Sequence, residues 1–297
     1  MPQLSFDELR DLGLADEVAN TLRLFTVGFV RVVERNGRED FLHCGSGTLV
    51  NVNGRLGILT ADHVLNNLPN TGVGLAFPVA AEPRVHRILI QTSEHQKWHI
   101  GPATNTAAGP DLGFLELHPA DRQRLPTSCA FYDLAARREK VLPQPRDPAM
   151  GGWYLCGSPD EWTTEARPER TFTRVRLFGA FCGAIVVARE RLTDQFDYLD
   201  AEVNVAGQYE GPMDFGGVSG GGLWQIVFVE TDGKIGVGER LLSGVAYYQL
   251  AEDGAPHTIV CHGRRSIYGV LLAKLTEPPP NPSFNRTGPT ASRLSQR

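Results

Sequence analysis

Apolar residues in this chain come in short runs, and turn residues break them before any long helical period is established. Valine and phenylalanine dominate from Phe25 to Val33, and the polar stretch Arg35 to Asp40 ends that run. Phe41 to Val52 and Leu56 to Leu59 follow, with Asn53-Gly54 between them. An Asn-Gly pair tolerates the left-handed backbone that a tight hairpin needs. Gly72 to Val79, Val85 to Gln91 and Leu112 to Leu117 are further strand candidates. A second set runs through Trp153 to Cys156, Thr171 to Leu177, Ala184 to Ala188, Phe196 to Val205, Leu223 to Glu230, Leu242 to Leu250 and Thr258 to Cys261. The pattern predicts an all-β chain, a barrel or a sandwich.

Helical signals are confined to the margins. Ser5 and Glu8 have the spacing of a capping box, and Leu9, Leu12, Leu14, Val18 and Leu22 follow. Gly13 is expected to split this stretch into two short helices, packed on the outside of a domain. His118 to Met150 is polar and proline-bearing, and reads as a connector with one short helix. Ser266 to Leu275 has apolar spacing that suits a closing helix. From Pro278-Pro279-Pro280 to Arg297 the composition is that of a disordered tail.

The formal net charge of -5 gives no broad electrostatic reason to bind nucleic acid or an anionic membrane. No apolar run approaches the ~20 residues that span a bilayer. Met1 to Leu14 does not read as a secretory leader. The five cysteines, Cys44, Cys129, Cys156, Cys182 and Cys261, are odd in number and widely spread. They read as reduced thiols, mostly buried, in a cytoplasmic protein rather than as a disulfide framework or a zinc site.

One stretch points to chemistry. In Phe215-Gly216-Gly217-Val218-Ser219-Gly220-Gly221-Gly222 a single hydroxyl stands among glycines. Glycine allows backbone angles other residues avoid and leaves its N–H unshielded. The N–H groups of Gly217 and Ser219 are therefore candidates for an oxyanion hole. Upstream, Thr60-Ala61-Asp62-His63 follows an apolar run, and Asp111 opens another. Serine is a poor nucleophile until a base takes its proton. Histidine can do so near neutral pH, and a carboxylate holds the imidazole in the required tautomer. Ser219, His63 and Asp111 are thus candidates for nucleophile, base and orienting acid.

At these residues the chain resembles the trypsin/chymotrypsin-like serine peptidases, and more closely their bacterial branch without disulfides. The matching stretches, in order, are Gly45-Ser46-Gly47-Thr48-Leu49-Val50 with Thr60-Ala61-Asp62-His63, Asp111-Leu112-Gly113-Phe114, Leu155-Cys156-Gly157-Ser158-Pro159, Gly217-Val218-Ser219-Gly220-Gly221 and Leu242-Ser243-Gly244-Val245-Ala246. The resemblance covers about Thr26 to Leu275. It implies two six-stranded antiparallel β-barrels with the site in the cleft between them. The first, 25–140, would carry His63 and Asp111. The second, 141–276, would carry Ser219 and the closing helix, with a helical arm at 1–24 and the tail at 277–297. It implies peptide-bond hydrolysis of a protein or peptide substrate, without cofactor or metal. Met213, six residues before Ser219, would sit at the base of the pocket for the side chain preceding the cut and favour an apolar residue. Asp214 is one position away. Ala246, Tyr247 and Tyr248 would line the substrate channel.

Three departures stand out. Val64 replaces the cysteine that follows the histidine in many secreted members. Val218 stands where zymogen-activated members carry an aspartate, which predicts an enzyme competent without cleavage. Asp62 replaces a small residue, and the sequence offers no account of it. Gly217-Val218-Ser219-Gly220-Gly221 also fits the nucleophile turn of α/β-hydrolases, which would place a helix after the serine and use Asp253 with His257 or His262. His95 and His99 have the i, i+4 spacing of a shared helix face, but no further ligands cluster nearby, so they read as surface histidines, as do His43, His86 and His118. His262-Gly263-Arg264-Arg265 reads as a helix cap with solvated arginines.

Overall fold

The computed structural model describes residues 6–35, 38–77, 86–142, 151–166, 175–178, 181–203, 211–250 and 257–276. Ser5 of the capping box, the tail and the ends of several strand candidates lie outside the described residues.

The chain opens with α1 (Phe6–Asp11) and α2 (Leu14–Arg23), separated at Gly13, whose φ is 71°. In α2, Leu14, Val18 and Leu22 fall on one face and are buried, while Asp16 and Glu17 in the first turn and Arg23 in the last suit the helix dipole. Leu12 and Leu24 stay exposed, so the pair packs on the domain through one face. Val18 and Leu22 are fully buried in the same cluster as Trp224, Tyr154 and Leu271. Burying each such side chain contributes about 1.5–3 kcal/mol, which holds the inner face of α2 on the core.

The first half contains β1 (Thr26–Arg35), β2 (Arg38–Val52), β3 (Arg55–Thr60), α3 (Asp62–Asn67), β4 (Val73–Phe77), β5 (His86–Ile90), β6 (Gln96–Gly101) and β7 (Leu112–Glu116). Its connector adds α4 (Pro119–Arg122), the short β8 (Tyr132–Asp133) and α5 (Leu134–Val141), two helices where one was expected. These strands form an open sheet in the order β5-β4-β1-β2-β3-β7-β6, antiparallel throughout, with β8 added parallel to β2. The Asn53-Gly54 hairpin joins β2 to β3 as expected, with both residues at positive φ. β6 is one of the strands the sequence reading missed. His95 precedes it and His99 lies within it, paired with Gly113. They therefore share no helix face.

The second half contains β9 (Gly152–Gly157), β10 (Thr163–Ala166), β11 (Val175–Phe178), β12 (Phe181–Thr193), β13 (Phe196–Val203), β14 (Gly222–Thr231), β15 (Lys234–Leu250) and β16 (His257–His262). Six of them close an antiparallel barrel in the order β12-β13-β16-β15-β14-β9, and β10 pairs with β11 beside it. The closing helix begins as π-helical turns, Arg265–Leu271, and continues as α6 (Leu272–Thr276). The all-β class is thus as expected, with one closed barrel and one open sheet. The two halves share a core: the Trp224 ring packs 5.4 Å from Phe25 and 5.1 Å from Tyr132.

Candidate active site

His63 lies in the first turn of α3, directly after β3, and Asp111 immediately precedes β7, the neighbour of β3 in the sheet. Sheet pairing thus brings together residues 48 positions apart. Asp111 uses both carboxylate oxygens on His63. Oδ2 lies 2.6 Å from Nδ1, and Oδ1 accepts the His63 backbone N–H at 2.9 Å. One fork fixes both the imidazole and the chain that carries it. The Asp111 side chain is almost fully buried, whereas His63 keeps about a quarter of its side chain exposed.

Asp62, unexplained from sequence, is buried and braces the same turn. Its Oδ1 lies 2.6 Å from His99 Nδ1, and its Oδ2 accepts from Asn66 Nδ2 at 2.8 Å and from the Ala103 N–H at 2.9 Å. It ties α3 to β6 and the loop beyond it.

Ser219 lies in the turn before β14. Its carbonyl accepts the Ser46 N–H at 2.7 Å, and Thr60 Oγ1 donates to Ser46 O at 2.7 Å. Gly220 packs so closely on this pair that a Cβ there would collide with Ser46 O and Thr60 Oγ1. These contacts seat Ser219 beside the end of β3, where His63 begins. Among the described residues no hydrogen bond joins the Ser219 hydroxyl to His63.

Most backbone donors around Ser219 have acceptors within the protein. The N–H groups of Met213 and Asp214 donate to Glu161 Oε2 at 2.8 and 2.9 Å. Phe215 donates to Gln249 Oε1, Gly216 to Asp214 Oδ1 and Val218 to Phe215 O. Gly220 donates to Ala246 O and Gly221 to Val218 O. From Met213 to Gly221, two N–H groups have no acceptor among the described residues: those of Gly217 and Ser219. Their directions are fixed from the far side of each planar peptide. Gly216 O is held by the Asp160 N–H at 2.7 Å, and Val218 O by the Gly221 N–H at 2.8 Å. Gly217 has φ 85°, and a Cβ there would lie 2.6 Å from both Asp160 Oδ1 and His43 Nδ1.

His43 is not a surface histidine. Its side chain is 3% exposed, and Nδ1 lies 2.8 Å from Asp160 Oδ1. His95 is buried as well, with Nδ1 on Gln91 O and Nε2 3.2 Å from Asp121. Arg264 is half-buried rather than solvated: it donates to Ser243 Oγ and to Gln225 Oε1. Sequence reasoning missed His43, Asp160 and Glu161 around the serine loop, because each reaches it from a distant stretch.

The residues expected to bind substrate are placed differently from one another. Met213 is 55% exposed, and Asp214 is also exposed, its carboxylate on Gly216 N. Ala246 is buried and pairs through its backbone with Gly220 and Gly221. Tyr247 is buried with its hydroxyl donating to Ala107 O at 2.9 Å, and Tyr248 is half-buried. The nucleophile turn of an α/β-hydrolase does not apply, because Ser219 leads into strand β14 rather than a helix. Among the described residues no group of three or more His, Cys, Asp or Glu side chains is placed to hold a metal.

No family model matches this chain, and no curated protein matches its sequence.

Proposed function

We propose that this chain is a serine endopeptidase of the trypsin/chymotrypsin-like type, acting on protein or peptide substrates in the cytoplasm without a cofactor. The observation that carries this reading is the pair of N–H groups left without acceptors, on Gly217 and Ser219, flanking the one hydroxyl of the loop. Both belong to half-buried residues, so each can meet an incoming oxygen in place of water. In this reading the first-half sheet is the counterpart of the closed barrel, and the cleft between them holds the site.

Ser219 Oγ attacks the scissile carbonyl as His63 Nε2 takes its proton. Asp111 holds Nδ1–H and stabilises the imidazolium. The carbonyl oxygen, now carrying negative charge, is received by the Gly217 and Ser219 N–H groups. His63 then protonates the leaving amine, and water repeats the sequence on the acyl-enzyme. Val218 is buried and has no carboxylate to pair with a new N-terminal ammonium. Glu161, Asp160 and Asp214 shape the loop instead, so the uncut chain is competent.

The test is labelling by a fluorophosphonate probe, read by intact mass on wild type and Ser219→Ala. Labelling of wild type alone supports the reading. No labelling of either assigns the fold to binding rather than catalysis. Digestion of a peptide library then separates a peptidase from an esterase.

A further inference from the structure

His262 ends β16 and is completely buried. Its Nε2 accepts the backbone N–H of Asp111 at 2.9 Å, from 151 residues away. Its Nδ1 lies 3.3 Å from Ser266 Oγ, which lies 2.8 Å from Asp197 Oδ1. The Asp197 carboxylate also accepts the N–H groups of Arg265 at 2.9 Å and Ser266 at 2.7 Å. The rings of Tyr247, Tyr198 and Phe196 enclose the imidazole at 4.8, 5.2 and 5.6 Å.

The protons follow from this geometry. An Nε2 that accepts from Asp111 carries no hydrogen, so the hydrogen is on Nδ1 and is donated to Ser266 Oγ. Ser266 donates onward to the Asp197 carboxylate. Burial holds the imidazole neutral, its pKa pushed down to about 3. The chain of bonds is therefore polarised in one direction, from the Asp111 N–H to Asp197.

We propose that His262 is a positioning residue for the His63–Asp111 pair: its Nε2 fixes the Asp111 backbone so that the carboxylate presents both oxygens to His63. This rests on the hydrolase reading of the site. Asp111 sits between the loop that ends in Pro110 and the first residue of β7, so the sheet ladder does not itself hold its N–H. The acceptor on His262 does, and it stands on the rigid end of β16 against the closing turns.

The test compares wild type with His262→Phe, which keeps a ring but loses the acceptor, and His262→Gln, whose Oε1 reaches the position of Nε2. Two quantities are read: the rate of fluorophosphonate labelling at Ser219, and the low-field proton resonance of His63 Nδ1–H, assigned by its loss in His63→Ala. In His262→Phe, labelling slows about 10–100-fold, the scale of a misplaced catalytic group, and the low-field resonance is lost or moves upfield. His262→Gln retains the resonance and most of the labelling rate. Where His262→Phe does not fold, His262→Asn takes its place, since its shorter amide does not reach the Asp111 N–H. An unchanged resonance in the acceptor-less variant overturns the proposal. So does equal impairment of Gln and Phe, which would mean only that the ring fills space. The resonance does not require a reactive serine. If wild type fails to label yet the resonance follows the acceptor, the hydrolase reading falls and the positioning role stands.

Discussion

Ser46, on β2, donates its hydroxyl to Gly217 O at 2.8 Å and accepts the Ser158 N–H at 2.8 Å. One first-half hydroxyl therefore links the serine loop to the turn after β9, across 171 residues of chain. Ser46→Ala strands a carbonyl and an N–H together, at a cost of about 1–3 kcal/mol. The expected outcome is a folded protein, by thermal melt, that labels with fluorophosphonate about tenfold more slowly. A wild-type rate would mean that the loop holds its shape without this bond.

Ser219→Ala and His63→Ala are each expected to remove nearly all reaction at the serine or turnover of a peptide substrate. The double variant should be little worse than either, because groups that act as a unit are not additive. Intact mass during labelling of wild type should show probe on the full-length chain. Reaction that begins only after mass is lost from the N-terminus would make the first helices a propeptide.

Gly217→Ala places a Cβ between His43 and Asp160 at a backbone angle that disfavours side chains. It should slow labelling by about 10²–10³, the usual cost of a lost oxyanion donor. Gly233→Ala is the control. Gly233 has φ 74° with nothing within 4 Å of the added Cβ, so it bears the backbone strain alone. Equal loss of reactivity in the two would rule out a specific role for Gly217.

His262 also makes a stability prediction. Its folded pKa of about 3 lies below the ordinary histidine value of about 6.5. The unfolded chain therefore binds a proton that the folded chain refuses. This contribution is fully present above pH ~6.5 and is lost as pH falls from there toward ~3. Denaturant melts across this window should show a slope approaching one proton that is missing in His262→Gln. Parallel curves for the two proteins would contradict it.

Cys156 and Cys182 are cross-strand partners on β9 and β12, with Sγ atoms 2.7 Å apart. Directly opposed residues of an antiparallel pair lie within the span of a disulfide. Diamide, which takes two electrons and two protons from a thiol pair, should join them. A non-reducing peptide map would show the link, and Cys156→Ser should abolish it. A map linking other cysteines, or none, would refute the expectation.

The local chemistry of this chain was legible in its sequence. Asn53-Gly54 specified a hairpin because few other pairs accept its backbone angles. Gly13 split the first helices, and short apolar runs excluded a helical fold. Ser219, His63 and Asp111 stood out as candidates because each sits in a short pattern that its own neighbours define. Tertiary structure alone decided what holds them. His262 looked like a helix cap because its partner, Asp111, is 151 residues away. Asp62 had no meaning until β6 brought His99 and Ala103 to its carboxylate. The inner face of the helical arm joins one buried cluster with Trp224 and Leu271, and no local pattern records which surface an apolar face will cover. Ser46, His43, Asp160 and Glu161 converge on one loop from separate strands and turns. Their roles come from hydrogen-bond partners set by folding, and a linear sequence carries no direct mark of such pairs.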